Sequence, residues 1–209
     1  MIKILVIGDP HIPRRAKEIP VGVLDELENL TNSQLFEYTF FTGDQINCPE
    51  FMNFLKEKSK ESLLIVVGNM DYYGGNREAP MYQKVEIIFT NNTKINIGLT
   101  HGHQISPRGD HIQLEKLAIE KGYNILITGH THKEEISLTK KGILLLNPGS
   151  VTGAWSFIAS GIPSFITVNI NEKTEDIDIK LHQLERKVSK IKEIEFYFNF
   201  KDNKIIERF

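Results

Sequence analysis

The stretch Ile127-Thr128-Gly129-His130-Thr131-His132 constrains the fold most. It is the end of an apolar run, Ile125 to Thr128, halted at a glycine and followed by two histidines two residues apart. In extended or loop backbone, residues i and i+2 point the same way, so the two imidazoles converge. Converging imidazoles are costly to leave unsatisfied and well suited to a divalent metal. Four other apolar runs end in the same manner. Ile2–Ile7 stops at Gly8-Asp9-Pro10-His11, and Tyr38–Thr42 at Gly43-Asp44. Leu63–Val67 stops at Gly68-Asn69-Met70-Asp71, and Ile95–Leu99 at Thr100-His101-Gly102-His103. Such a chain is expected to bring several strand ends to one place.

The periodicity between these runs sets the elements. Ile2–Ile7 and Leu63–Val67 are apolar at nearly every position, which predicts strands buried on both faces. Val23, Leu24, Leu27 and Leu30 have helical spacing. Pro49 suits the first turn of a helix carrying Phe51, Phe54 and Leu55. Leu114, Leu117 and Ala118 mark another helix, stopped near Gly122. Strands are predicted at Val85–Phe89 and Ile95–Leu99, around an Asn91-Asn92 turn, and at Ile136–Leu138 and Ile143–Leu146, around Lys140-Lys141-Gly142. Phe165–Ile170 and Ile177–Leu184 alternate as strands do. Tyr72–Pro80, with Gly74, Gly75 and Pro80, is expected to be a loop beside the site. Alternating strands and helices followed by strands imply two packed sheets with helices outside. The chain is divided into residues 1–184 and a C-terminal extension, 185–209. The extension is expected to be a linker and a β-hairpin turning at Lys201-Asp202-Asn203, packed on the body through Phe196, Phe198 and Phe200.

Composition excludes more than it selects. The 209 residues are 40% hydrophobic and 25% charged, ordinary for one globular domain. A net charge of −2, with no basic stripe interleaved with aromatics, argues against sequence-specific nucleic-acid binding. No window approaches the ~20 apolar residues that cross a bilayer, so membrane insertion is not expected. The N-terminus lacks the form of a signal peptide. The one cysteine, Cys48, has no internal partner and points to a reducing, cytoplasmic home. No phosphate-binding Gly-x-x-x-x-Gly-Lys loop occurs.

The strand ends offer seven candidate metal ligands: Asp9, His11, Asp44, Asn69, His101, His130 and His132. One ion takes four to six, so seven imply two ions sharing a ligand. Asp44 is the natural bridge, since a carboxylate has two oxygens. Nitrogen and oxygen donors without thiolate suit two divalent ions drawn from Mn, Zn, Fe or Ni. A metal pair about 3.5–4 Å apart serves hydrolytic phosphoryl transfer, with hydroxide held between the ions.

These motifs, in this order, resemble those of the calcineurin-like metallophosphoesterases over about Met1 to Leu184. The resemblance implies a four-layer αββα sandwich of two mixed β-sheets flanked by helices. It implies that Asp9, His11, Asp44 and His132 hold one metal, and Asp44, Asn69, His101 and His130 the other. Gly8-Asp9-Pro10-His11-Ile12-Pro13-Arg14, His101-Gly102-His103-Gln104 with Gly109-Asp110, Gly129-His130-Thr131-His132-Lys133 and Asn147-Pro148-Gly149-Ser150 through Gly153-Ala154 are similar to a narrower branch. That branch holds short prokaryotic phosphodiesterases and the phosphoesterase-fold subunit of retromer, a vacuolar sorting complex. It implies either hydrolysis of a small phosphoester or a scaffold bound to a helical-repeat partner. Many family members carry a histidine where this chain has Met70, which cannot donate a proton. The catalytic candidates are therefore Asp44, Asn69 and His103, with His103 or a water supplying the proton.

Around these, Asp71 either orients a ligand histidine or caps its own loop. Arg14 and Arg15, and less so Arg108, can meet substrate phosphate or only solvent. Asn147 can bond a ligand or phosphate, or serve as a turn residue. His111 and His182 are expected to be structural or exposed, and Cys48 packed and inert. Ala154–Pro163, with Trp155 and Ile162, is expected mainly to pack as core and loop, with a partner patch as the other possibility. The oligomeric state stays open.

Overall fold

A computed structural model describes residues 1–208. Its strands are β1 (Ile2–Ile7), β2 (Phe36–Phe41), β3 (Ser59–Ile65), β4 (Tyr82–Ile88), β5 (Lys94–Thr100), β6 (Ile125–Ile127), β7 (Glu134–Leu138), β8 (Leu144–Pro148), β9 (Ser164–Ile170), β10 (Asp176–Glu185), β11 (Lys190–Lys201) and β12 (Lys204–Glu207). Its helices are α1 (Val21–Thr31), α2 (Pro49–Glu57), α3 (Asn69–Tyr73) and α4 (His111–Lys121).

Two mixed sheets face each other. One has seven strands in the order β12-β11-β10-β9-β1-β2-β3, the other five in the order β4-β5-β6-β8-β7. The period-two rule sorts β1 into both of its neighbours. Ile4 and Val6 point between the sheets, where they join Phe40, Val66, Ile97, Leu99, Ile125, Ile127, Ile166 and Val168. Leu5 and Ile7 point the other way, onto Val23 and Leu27 of α1 and Phe51 and Leu55 of α2. On the second sheet, Leu126 and Leu145 turn outward to Leu114 and Ala118 of α4. The layers are thus helices, sheet, sheet, helix, as expected for an αββα sandwich. Each fully buried aliphatic side chain contributes about 1.5–3 kcal/mol.

Helix ends follow local chemistry. Asp110 caps α4 by accepting the Gln113 N–H at 2.8 Å, and Gly122 ends it with φ +70°. Pro49 starts α2.

Four expectations change. Leu63–Val67 does pack on both faces, Leu64 and Val66 between the sheets and Leu63 and Ile65 toward the helices, but β3 begins earlier, at Ser59, and forms the sheet edge with Lys60 and Glu61 exposed. Its polar half hides the strand from an apolar pattern. Tyr72–Pro80 is a loop only in part, because Tyr72 and Tyr73 end the short helix α3. The segment from 185 onward is continuous with the main sheet. β11 pairs with β10 from Asp176↔Asn199 to Glu185↔Lys190. Asp202 and Asn203, both with positive φ, turn β11 into β12. Phe198 and Phe200 are buried between the sheets, and Phe200 stacks on Phe89 at 5.5 Å. Finally, Trp155, Phe157 and Ile158 are exposed, at 62%, 80% and 47%, so Ala154–Pro163 is largely a surface loop rather than core.

Candidate metal centre

Parallel strands β1 and β2 end side by side, and β5 and β6 end likewise across the sandwich. Their loops meet above the gap between the sheets. The backbone there is strained in a concerted way. Asp9, His11, Asp44, His130 and His132 all have positive φ, from 49° to 66°. Such conformations cost about 1–3 kcal/mol each in a non-glycine residue and persist only where surroundings enforce them. They aim side chains inward that regular strands would alternate.

The preceding glycines serve close approach. A Cβ on Gly68 would lie 1.9 Å from Asp44 Oδ1. One on Gly129 would lie 2.3 Å from Asp9 Oδ2.

Asp9, His11, Asp44 and His132 are all buried, with one donor atom from each lying within 4.8 Å of the others. His11 Nε2 is 2.9 Å from His132 Nε2 and 3.3 Å from Asp44 Oδ2. His132 Nε2 is 3.4 Å from Asp9 Oδ1. On the other flank, His101 Nε2 lies 3.5 Å from Asp44 Oδ2 and 3.1 Å from Asn69 Oδ1. The His130 ring stands 5.1 Å from that of His101, and its backbone N–H donates to Asp9 Oδ1.

The donor set fits a cation. His101 Nδ1–H donates to Thr42 O at 2.7 Å, and His132 Nδ1–H to Ala154 O at 2.9 Å. A backbone carbonyl fixes each tautomer and leaves the Nε2 lone pair facing the cluster. Burial pushes His11 and His130 down to about 3, so both rings are neutral at pH 7. Burial pushes the Asp44 carboxyl up to about 6, against the pull of His101 and with the Asp9 charge adding to it. Burial also raises Asp9. The His132 bond and the surrounding imidazoles outweigh it and hold Asp9 below the usual carboxylate range. For His132, burial is likewise outweighed by Asp9, and its pKa rises. Carboxylates and lone pairs packed this closely repel unless a positive charge lies among them.

The supporting residues differ in part from expectation. Asp71 orients no histidine. Its carboxylate accepts the backbone N–H groups of Asp44 at 2.7 Å, Ile46 at 2.8 Å and Gly68 at 3.1 Å, and so fixes the Asp44 loop. Asp44 Oδ1 accepts the Met70 N–H at 2.8 Å, leaving Oδ2 alone to face both His11 and His101. Asn147 bonds no ligand side chain and acts within its own turn and the histidine loop. It donates to Gly129 O and Thr131 Oγ1, and accepts from Gly149 N–H, so it staples the histidine loop. Arg14 and Arg108 are exposed, and Arg15 donates to Trp155 O at 2.8 Å. His103 packs 5.5 Å from the His101 ring, and its Nδ1 has no partner among the described residues.

Sequence inspection missed Thr42. Its hydroxyl donates to Asp9 Oδ2 at 2.7 Å while its carbonyl holds His101. Its position directly before Gly43-Asp44 was the available signal. It also missed Arg77, which lines a pocket with Asn69, Tyr72, Tyr73, Met81 and His103.

Residues 2–173 match the family model of the calcineurin-like phosphoesterase superfamily domain. The chain belongs to that superfamily. Two curated relatives are probable metallophosphoesterases. That of Methanocaldococcus jannaschii is 39% identical over 70% of this chain and 67% of its own. That of Methanothermobacter thermautotrophicus is 37% identical over 70% and 76%. Among solved structures, vacuolar protein sorting 29 from Cryptosporidium parvum superposes with a TM-score of 0.80 at 31% identity, over 95% of this chain and 98% of its own. Wild-type Vps29 from Entamoeba histolytica, solved in complex with zinc, gives 0.75 at 30%, over 94% and 99%. The calcineurin-like sandwich and its buried Asp-His-Asp-His cluster therefore identify a metallophosphoesterase fold able to bind metal.

Proposed function

We propose that this chain is a dinuclear metal-dependent phosphoesterase that hydrolyses a phosphodiester. The observation that carries it is Asp44 Oδ2, set 3.3 Å from His11 Nε2 and 3.5 Å from His101 Nε2, so one oxygen serves both halves of the site. Asp9, His11, Asp44 and His132 would hold one divalent ion; Asp44, Asn69, His101 and His130 the other. Bound ions would supply Lewis-acid charge to phosphate oxygens and a more acidic water. The zinc complex of the similar Vps29 from Entamoeba histolytica supports a transition-metal site. The single buried thiol of Cys48, pushed up to about 12 by burial, fits a reducing cytoplasm.

The chain's own residues do the positioning. Thr42 and the Ala154 carbonyl hold His101 and His132 in their tautomers, and Asp71 holds the Asp44 loop. Arg77 stands over the Tyr72 ring at 4.2 Å, at the pocket that also contains Asn69 and His103. There a guanidinium can meet a phosphate oxygen and the tyrosines a flat alcohol group. His103, on the lining of that pocket, is the residue assigned to give a proton to the departing oxygen, although burial and the neighbouring His101 lower its pKa. His103→Gln is expected to lower kcat for alkyl phosphodiesters at least tenfold while leaving aryl esters, which need no acid, within about threefold.

The deciding experiment is hydrolysis of bis(p-nitrophenyl) phosphate by the purified chain with Mn, Ni, Co or Zn. Turnover abolished by Asp44→Ala is expected. No turnover with any of these metals overturns the proposal.

One observation favours a second role, as a retromer-like scaffold. Trp155 and Phe157, with ring centroids 5.0 Å apart, are exposed on the loop whose Ala154 carbonyl holds His132. A helical-repeat partner bound there would be retained by the Asp44→Ala variant and lost on Trp155→Ala.

A further inference from the structure

A group of donor side chains lies on the far half of the large sheet, away from the centre described above. In the antiparallel pairing of β10 and β11, His182 stands directly opposite Glu193. Both belong to the face that carries Leu184 and Ile191 against α1. Glu26 comes from α1, three residues after the buried Val23 and next to Leu27.

His182 is completely buried. Its ring stacks on Phe165 at 4.4 Å with the planes 5° apart, and its Nε2 pairs with Thr167 Oγ1 at 2.9 Å. With Nε2–H donating to that hydroxyl, the Nδ1 lone pair faces outward to the acidic side chains. Nδ1 has no hydrogen-bond partner among the described residues. Its distance to Glu193 Oε1, 3.7 Å, is too long for one. Buried imidazole nitrogens are seldom left so.

We propose that Glu26, His182 and Glu193 form a second divalent-cation site, of the kind that takes zinc, independent of the Asp44 cluster. One donor atom from each lies within 4.8 Å of the others. Donors on a tetrahedral zinc, with bonds of about 2.0–2.2 Å, lie about 3.3–3.6 Å apart, so small side-chain adjustments close the set. One imidazole and two carboxylates suit zinc or manganese and cancel the ion's charge. Lys180 already occupies Glu193 Oε2 at 2.7 Å and also reaches Glu195 at 3.1 Å, which leaves Oε1 for the ion. Burial pushes His182 down to about 4, despite Glu193, so the ring is neutral and its lone pair available. Burial raises the Glu26 pKa and Glu193 raises it further, against the pull of the Asn29 hydrogen bond and of the Lys180 charge. Glu193 is solvent-exposed, so water would have access to the ion's remaining position. An ion here would tie α1 to β10 and β11.

The test counts zinc on the full-length chain by equilibrium dialysis and elemental analysis. The chain as it stands is expected to hold an additional equivalent relative to the Glu26→Gln/Glu193→Gln double variant, whose half-exposed sites tolerate an isosteric amide. In nitrogen-15 spectra, zinc is expected to shift His182 Nδ1 in the original chain and not in the double variant. An Asp44→Asn background separates the two centres, because the additional equivalent survives there. Equal zinc content in the original chain and double variant, or a His182 Nδ1 signal indifferent to zinc, overturns the proposal.

Discussion

Asp44 shows how one residue depends on its supports. Its backbone is held at φ +54° by N–H groups given to Asp71, and its Oδ1 by the Met70 N–H. Asp71→Asn loses one anionic acceptor while keeping shape. Metal affinity is expected to fall about 10–100-fold, read by isothermal titration, with a loss of about 1–3 kcal/mol in stability because the amide nitrogen cannot accept the backbone N–H that an Asp71 oxygen held. An unchanged affinity would show that the loop holds itself. Gly129 makes the complementary case. A methyl there meets Asp9 Oδ2 at 2.3 Å and Thr42 Oγ1 at 2.7 Å. Gly129→Ala is expected to cost about 1–3 kcal/mol in urea denaturation and to weaken metal binding with it. The glycine-before-ligand pattern was plain in the sequence. Its cause, a neighbouring strand end in close contact, was not.

At the scale of elements, β11 and β12 are the least expected part. The stripe Phe196, Phe198, Phe200 reads as a packed face from its period alone, and the turn at Asp202-Asn203 is where turn chemistry puts it. What the sequence hides is the partner. The stripe does not cover the domain from outside. It completes the inter-sheet core, with Phe200 against Phe89 and Ile205 alongside. Phe200→Ala is expected to cost about 3–5 kcal/mol, measured as loss of urea midpoint, against well under about 1 kcal/mol for exposed Tyr197→Ala. Equal effects would mean that the strand is peripheral. The short helix α3 escaped notice because five residues cannot establish a helical period.

The whole molecule carries its electrostatic strain in buried histidines. In the metal-free chain, burial holds His11 and His130 at about 3 and His182 at about 4. The unfolded chain protonates each near about 6.5. A depressed folded value means that each stabilising contribution is complete above about pH 6.5. It is lost as pH falls toward those folded values. Asp44, raised to about 6, works the other way, since the folded state takes its proton first and gains stability as pH drops from about 6 toward about 4. His132, with its raised value, also opposes the three. Three deep depressions outweigh these two, so the urea midpoint of metal-free protein is expected to fall between about pH 7 and about pH 4.5. A constant or rising midpoint contradicts this. Bound metal should steepen the loss, because protons compete for the same nitrogens.

Sequence alone determined the candidate donor types, their order and the strand ends near which they lie, because a donor's chemistry and a strand's periodicity are local properties. It also determined the layered class, since apolar runs of period two and helices of period about 3.6 must bury their faces against one another. Only the tertiary structure decided which atoms meet. The left-handed backbone at Asp9, His11, Asp44, His130 and His132, the single Asp44 oxygen facing both flanks, and the meeting of Glu26 with His182 and Glu193 arise from packing between segments distant in the chain. No local preference encodes them, because each is enforced by neighbours that the sequence places tens of residues away.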